Sequence, residues 1–164
     1  VIYSYLPYSR RKNNYCRPLA RFYHEEEIVN ANSMEELEKI WYREQDPDKL
    51  KERKGDDKDS SRYAGTNLHS LFINGHIELR HHSGTIDHEK IMNWIKLHVA
   101  VLDTIASDKI DTTELVSVKY ILELADKQEK LFELISLDEK VQKYFMARGE
   151  KFGNVVKEEN VCAE

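Results

Sequence analysis

The sequence predicts an α+β fold, on three observations. Residues 62–87 read as a β-hairpin with Asn74-Gly75, the strongest short hairpin-turn signal, at its tip. From Asp87 onward the apolar residues recur at helical spacing instead. The chain has 164 residues, 40 % of them hydrophobic, which suits one domain with a real core.

Each element has a local reason. Residues 1–8 carry tyrosines at 3, 5 and 8 and read as β-prone. Residues 9–18 are polar and basic, and Pro18 disfavours helix at Arg17, so an ordered loop is expected. Ser33 with Glu36 three residues later fits a capping box, and Leu37, Ile40 and Trp41 give the helix behind it an apolar face. Residues 44–61 are charged with little apolar content and predict a mobile loop, either a solvated insertion or a lid. In the hairpin, Leu68, Ser70 and Phe72 share one face of the first strand. Ile77 and Leu79 share one face of the second; His76, Glu78 and Arg80 share the other. Asp87 is the expected N-cap of a helix with a core-facing stripe of Ile91, Trp94, Ile95, His98, Leu102 and Ile105. Further helices are expected from Thr112 or Thr113 to about Ala125, over 127–135 and over 138–147, with order ending at Gly149 and Gly153. The organisation expected is a main domain over 1–110, a helical extension over 111–150 and a flexible tail over 151–164. Two strands are too few for an independent sheet, so further strands are expected from an N-terminal half or a partner chain. An opening on Val1, straight into strand-like sequence, fits that expectation.

Composition narrows the function classes. A net charge of −5 argues against general binding to nucleic acid or membrane surfaces. No apolar run approaches the roughly 18 residues of a membrane span, and the start does not read as a signal peptide. Cys16 and Cys162 lie far apart without metal-ligand spacing, which fits two reduced thiols and a cytoplasmic protein.

The polar strand face carries the chemistry. Glu78 and Arg80 alternate on one strand, so a carboxylate and a guanidinium point the same way. A carboxylate there suits Mg²⁺, and a guanidinium can grip a phosphate or carboxylate through two hydrogen bonds. The same spacing also fits a plain solvent-facing strand. Arg62 and Asn67 flank the hairpin entry. His69, on the Asn67 face by alternation, matters if it faces Glu78. His76, His81 and His82 are poorly spaced for zinc. Gly84-Thr85 precedes a helix N-terminus where an anion could sit. The Arg10-Arg11-Lys12 run with Tyr8 and Tyr15 could stack on and neutralise a nucleic acid.

Several of these pieces together resemble a known family. They are Ser9-Arg10-Arg11 with Tyr15-Cys16-Arg17-Pro18, Arg62-Tyr63, Asn67-Leu68-His69-Ser70, Ile77-Glu78-Leu79-Arg80, Ser83-Gly84-Thr85-Ile86-Asp87 and the helix from Lys90 to Ile95. The combination resembles the C-terminal part of the amidoligases, carboxylate–amine ligases with a glutamine synthetase-like catalytic fold, over roughly residues 7–105. The resemblance implies that the hairpin is part of a glutamine synthetase-like sheet. It implies ATP and Mg²⁺, with small-molecule or peptide carboxylate and amine substrates joined through an acyl phosphate. By the same resemblance Glu78 is a metal ligand, Arg80 and Arg62 are catalytic, and Asn67 and His69 bind substrate. The family's further metal-binding Glu and His strands have no counterpart before residue 60, so the chain is expected to be a fragment needing a second half. Two other readings stay open: a non-catalytic binding protein on the same scaffold, and a phage or plasmid nucleic-acid-associated protein using the Arg10–Arg17 loop.

Overall fold

A computed structural model describes residues 2–107 and 124–153. The chain divides into two compact units, Tyr8–Ser83 and Val1–Pro7 with Gly84–Glu164. Among the described residues the fold is α+β: mostly helical, with one small antiparallel sheet.

In the Tyr8–Ser83 unit the helices are α1 (Tyr8–Arg11), α2 (Glu25–Val29), α3 (Met34–Tyr42), α4 (Pro47–Gly55) and α5 (His69–Asn74), with strands β1 (Thr66–Asn67) and β2 (Glu78–Leu79). Helix α3 forms as its sequence predicts, with Ser33 Oγ accepting the Glu36 N–H at 3.1 Å. The Glu36 carboxylate reaches back to the Asn32 N–H, at 2.9 Å. The helix delivers Trp41 and Tyr42 to a core with Tyr23, Ala64 and Leu68, where Tyr23 and Trp41 stack at 5.1 Å.

The mobile loop expected over 44–61 is corrected for 47–55, which is helix α4. That segment lacks an apolar stripe, so periodicity does not show it. Its ends hold it instead. Asp46 Oδ1 accepts the Asp48 and Lys49 N–H groups at 3.0 and 3.1 Å, and Pro47 sits at the first helical position. Downstream, buried Asp59 pairs with Arg53 through Oδ2···Nε at 2.8 Å and Oδ1···Nη2 at 3.1 Å. Burial pushes the Asp59 carboxyl up, but Arg53 and Ser61 outweigh it and hold it below the usual range. Arg53 also donates to the Tyr42 carbonyl, fastening α4 to the end of α3.

The hairpin is corrected too. Thr66 pairs with Leu79 and Asn67 with Glu78, but residues 69–74 coil into α5 rather than extend. Asn67 Oδ1 accepts the His69 N–H at 3.0 Å, a local bond that starts a turn. Gly75, at φ 73°, closes the helix as a left-handed C-cap. The Asn74-Gly75 signal for a positive φ is thus met by a helix end instead of a hairpin tip.

The other unit begins with a 3-10 turn, Ile2–Tyr5, where strand was expected. It continues with α6 (His88–Ala106), α7 (Leu124–Leu134) and α8 (Glu139–Gly153). Tyr5, Leu97, Phe132, Val141 and Phe145 form its core. Arg148 Nε and Nη2 both donate to the Tyr5 carbonyl, at 3.1 and 2.9 Å, which holds the 3-10 turn against α8. Asp87 caps α6 as predicted, accepting the Lys90 N–H at 3.1 Å. The buried stripe of α6 is rotated from the expected one: Asn93, Leu97 and Thr104 are buried, while Ile91, Ile95, Leu102 and Ile105 are exposed. Helix α8 runs through Gly149, where order was expected to end. The helix expected over 112–125 lies outside the described residues except for its last two. Among the described residues no helix is long and apolar enough to cross a membrane.

Replacing Asp59 with alanine should cost about 2–3 kcal/mol, somewhat below the range for breaking a fully buried pair because Arg53 is partly exposed. Glu52→Ala, on the exposed side of α4, should change stability by less than about 0.5 kcal/mol. Urea unfolding separates the two; equal effects would remove the ion pair from the account.

Candidate functional site

The site is built on three backbone segments lying side by side. Strand β1 pairs with β2, and the Arg80 N–H extends that ladder to the Gly65 carbonyl at 2.7 Å. On its other side the segment meets Arg17 in a parallel bridge: Arg17 N–H to Tyr63 C=O at 3.0 Å, and Gly65 N–H to Arg17 C=O at 2.8 Å. The basic segment of residues 9–17, which opens in α1 and not wholly in the loop expected, is therefore fixed to the strand pair. Arg10 tightens this by donating to the Arg80 carbonyl and, through Nε at 3.2 Å, to the His81 carbonyl.

The Glu78 carboxylate is the focus. Its Oε2 accepts the Asn67 amide N–H at 2.7 Å and lies 3.4 Å from Ser70 Oγ. Arg80 Nε lies 2.9 Å from the same oxygen, an ion pair by distance although the N–H is not aimed along the contact. Burial pushes the Glu78 carboxyl up, yet Arg80, the Asn67 amide and the charge of Arg62 together hold it below the usual range. The group is an anion at neutral pH.

Asn67 is almost fully buried, and all of its side chain is used. Nδ2 donates to Glu78 and, at 3.0 Å, to Ser70 Oγ, while Oδ1 receives the His69 N–H. His69 is buried beneath this arrangement, with Nδ1 2.7 Å from the Tyr42 hydroxyl. Burial pushes Tyr42 well above its ordinary value, so its phenol keeps its proton. Burial pushes His69 down, with Asp59 opposing and Arg62 assisting, so the imidazole is neutral. Arg62, on the 3-10 turn Ser60–Tyr63, is thus close enough to act electrostatically on both Glu78 and His69. One of its guanidinium nitrogens donates to the Asp57 carbonyl, and its Nε has no partner.

Four of the five residues singled out from the sequence, Asn67, His69, Glu78 and Arg80, therefore gather in one place, with Arg62 within electrostatic reach. The route differs from the one expected. His69 reaches Asn67 through the first turn of α5 and not through strand alternation. Two contributors were missed. The sequence places Ser70 on a strand face and assigns Tyr42 no role. An Asn-x-x-Ser spacing opening a helical turn is the signal that could have found Ser70.

The metal expectation fits these residues poorly. Mg²⁺ favours octahedral oxygen coordination. Among the described residues no group of three or more His, Cys, Asp or Glu is arranged to hold a metal. Glu78 is a lone carboxylate already facing a guanidinium and an amide. The phosphate expectation fits better, because Arg62 and Arg80 bring two cations beside one buried polar cluster. Cys16 is buried, and its thiol donates to the Arg10 carbonyl at 3.1 Å. Burial raises its pKa against the pull of Arg10 and Arg80, which leaves a thiol and not a nucleophilic thiolate. At the start of α6, Asp87 itself occupies the capping position where an anion was expected.

Residues 1–102 match the profile of a family described as "Putative amidoligase enzyme". No curated protein and no solved structure matches the chain.

The buried neutral histidine gives a pH dependence. The folded pKa of His69 lies below the unfolded value of about 6.5. The unfolded chain then takes up the proton first, so stability falls as pH drops below about 6.5 and levels off under the folded pKa. His98, also pushed down by burial, acts in the same direction in the other unit. Urea midpoints between pH 7.5 and 5 should fall, and the fall should shrink in His69→Gln. An unchanged fall in that variant would contradict a neutral His69.

Proposed function

The chain belongs to the amidoligase family, and from that premise we propose that it works as an ATP-dependent carboxylate–amine ligase, with the Glu78–Arg80 face as part of its active site. The observation that carries the site assignment is the contact of Arg80 and Asn67 with the Glu78 carboxylate, with the charge of Arg62 acting on it as well.

In this reaction a substrate carboxylate oxygen attacks the γ-phosphorus of ATP, and ADP leaves. The amine nitrogen then adds to the carbonyl carbon of the acyl phosphate, inorganic phosphate departs, and the nitrogen loses a proton to give the amide. Phosphoryl transfer needs positioning and charge neutralisation more than covalent help from the protein. Arg80 and Arg62 are suited to that work. Each presents a planar cation that can take two oxygens of a phosphate or carboxylate, and the low-dielectric setting strengthens the contact. Glu78 orients Arg80 and, being anionic, can accept the proton or N–H of the incoming amine. Asn67 and Ser70 keep Glu78 in place. The neutral His69 supports that arrangement, its ring held by the Tyr42 hydroxyl at Nδ1.

ATP is the phosphoryl donor in this reading. Metal chemistry is not assigned to the described residues, because their donor set does not fit a Mg²⁺ cage. A partner chain would supply further ligands and strands. Small-molecule or peptide carboxylates and amines are the substrate classes, and a cytoplasmic setting would supply the ATP.

The test is amine-dependent ADP release by the full-length protein that contains this chain. Glu78→Ala should abolish it, and Arg80→Lys should lower the rate by roughly 100-fold, since a lysine cannot reproduce the planar two-point grip. Unchanged turnover in Glu78→Ala would defeat the assignment.

A further inference from the structure

The cations of this chain are unevenly placed. Residues 1–24 hold Arg10, Arg11, Lys12, Arg17 and Arg21 with no Asp or Glu, in a chain of net −5, so the other 140 residues carry −10. The structure fixes part of this basic segment beside the Glu78 site. Arg17 is bonded to Tyr63 and Gly65 along its backbone, and Arg10 is bonded to the carbonyls of Arg80 and His81. Among the described residues, Arg11 Nε and Nη2, Arg17 Nε and Arg62 Nε find no hydrogen-bond partner, and no carboxylate pairs with these three arginines. N–H groups shielded from water and left without an acceptor are costly, which suits these half-buried cations to oxyanions.

We propose that the carboxylate substrate is an acidic peptide, whose additional carboxylates lie along the basic loop while one carboxylate reaches the Glu78–Arg80 site. This rests on the ligase reading given above. A row of cations beside a phosphoryl-transfer site attracts a chain bearing several carboxylates far more than one bearing a single carboxylate. A short acidic peptide is favoured over a nucleic acid on two grounds. The ring of Tyr8 is already covered by Lys12 Nζ at 4.5 Å, and Tyr15 packs edge-on against Tyr63 at 4.9 Å, so the stacking faces are partly used. A long polyanion would also run from this short basic loop onto a surface whose overall charge is negative.

The experiment measures fluorescence anisotropy of labelled tetraglutamate with the full-length protein, without ATP or amine. Saturable binding is expected at low salt, weakening as salt rises, with none for tetraglutamine. The Arg11→Gln/Arg17→Gln double variant should bind at least tenfold more weakly. Lys12→Glu, at an exposed position that cannot disturb the core, should weaken binding several-fold and covers the case in which the double variant misfolds. No binding of tetraglutamate, or equal binding by Lys12→Glu, would overturn the proposal. Tighter binding of an oligothymidylate than of tetraglutamate would overturn it in favour of a nucleic-acid ligand. Because the assay contains no ATP, it can fail while ADP release succeeds, so the two proposals fall separately.

Discussion

The polar face depends on the side chain of Asn67. It is almost fully buried, and it joins three elements at once: β1, which carries it, the first turn of α5 through His69 and Ser70, and β2 through Glu78. A buried amide left unpaired costs roughly 1–3 kcal/mol per group. The chain must therefore hold the acceptors and donor around Asn67 together, and in doing so it fixes the Glu78 carboxylate. Arg80 then has a fixed anion to face. Because the strands are only two residues long, backbone pairing alone could not set this geometry.

A second layer supports the first. The buried Asp59 receives Arg53 and the Ser61 N–H, which fixes the turn that carries Arg62. Arg53 reaches on to the Tyr42 carbonyl, and the Tyr42 hydroxyl reaches His69. An unbroken path of polar contacts thus runs from α4 through the end of α3 to the residue that begins α5. The members of this path are half-buried to buried, so their charges are little screened, and burial at its end keeps His69 neutral.

The sequence revealed the site better than the path leading to it. Glu78 and Arg80 share a face because strand alternation has a period of two, and that survives even in a two-residue strand. Asp87 and Ser33 were readable as caps because capping is a local bond between a side chain and a backbone N–H three residues on. Residues 47–55 were not readable as helix. They have little apolar surface to bury, and the bonds that hold them, Asp46 at one end and Arg53–Asp59 at the other, leave no periodic trace. Residues 69–74 failed for a different reason. Asn74-Gly75 states that a positive φ is needed, but a hairpin tip and a helix C-cap both need one, and the choice was made by Asn67 capturing the His69 N–H. The stripe of α6 shows the limit of periodicity itself. Apolar residues cover most of that helix, so spacing alone could not say that Leu97 faces the core and Ile95 does not.

The most direct test of the Asn67 clamp is a double-mutant cycle by urea unfolding with Asn67→Ala, Glu78→Ala and the pair. A hydrogen bond to a partly buried carboxylate predicts a coupling of about 1–2 kcal/mol between the two sites. Additivity within about 0.5 kcal/mol would contradict it, and the Glu78–Arg80 face would then owe its geometry to something other than Asn67.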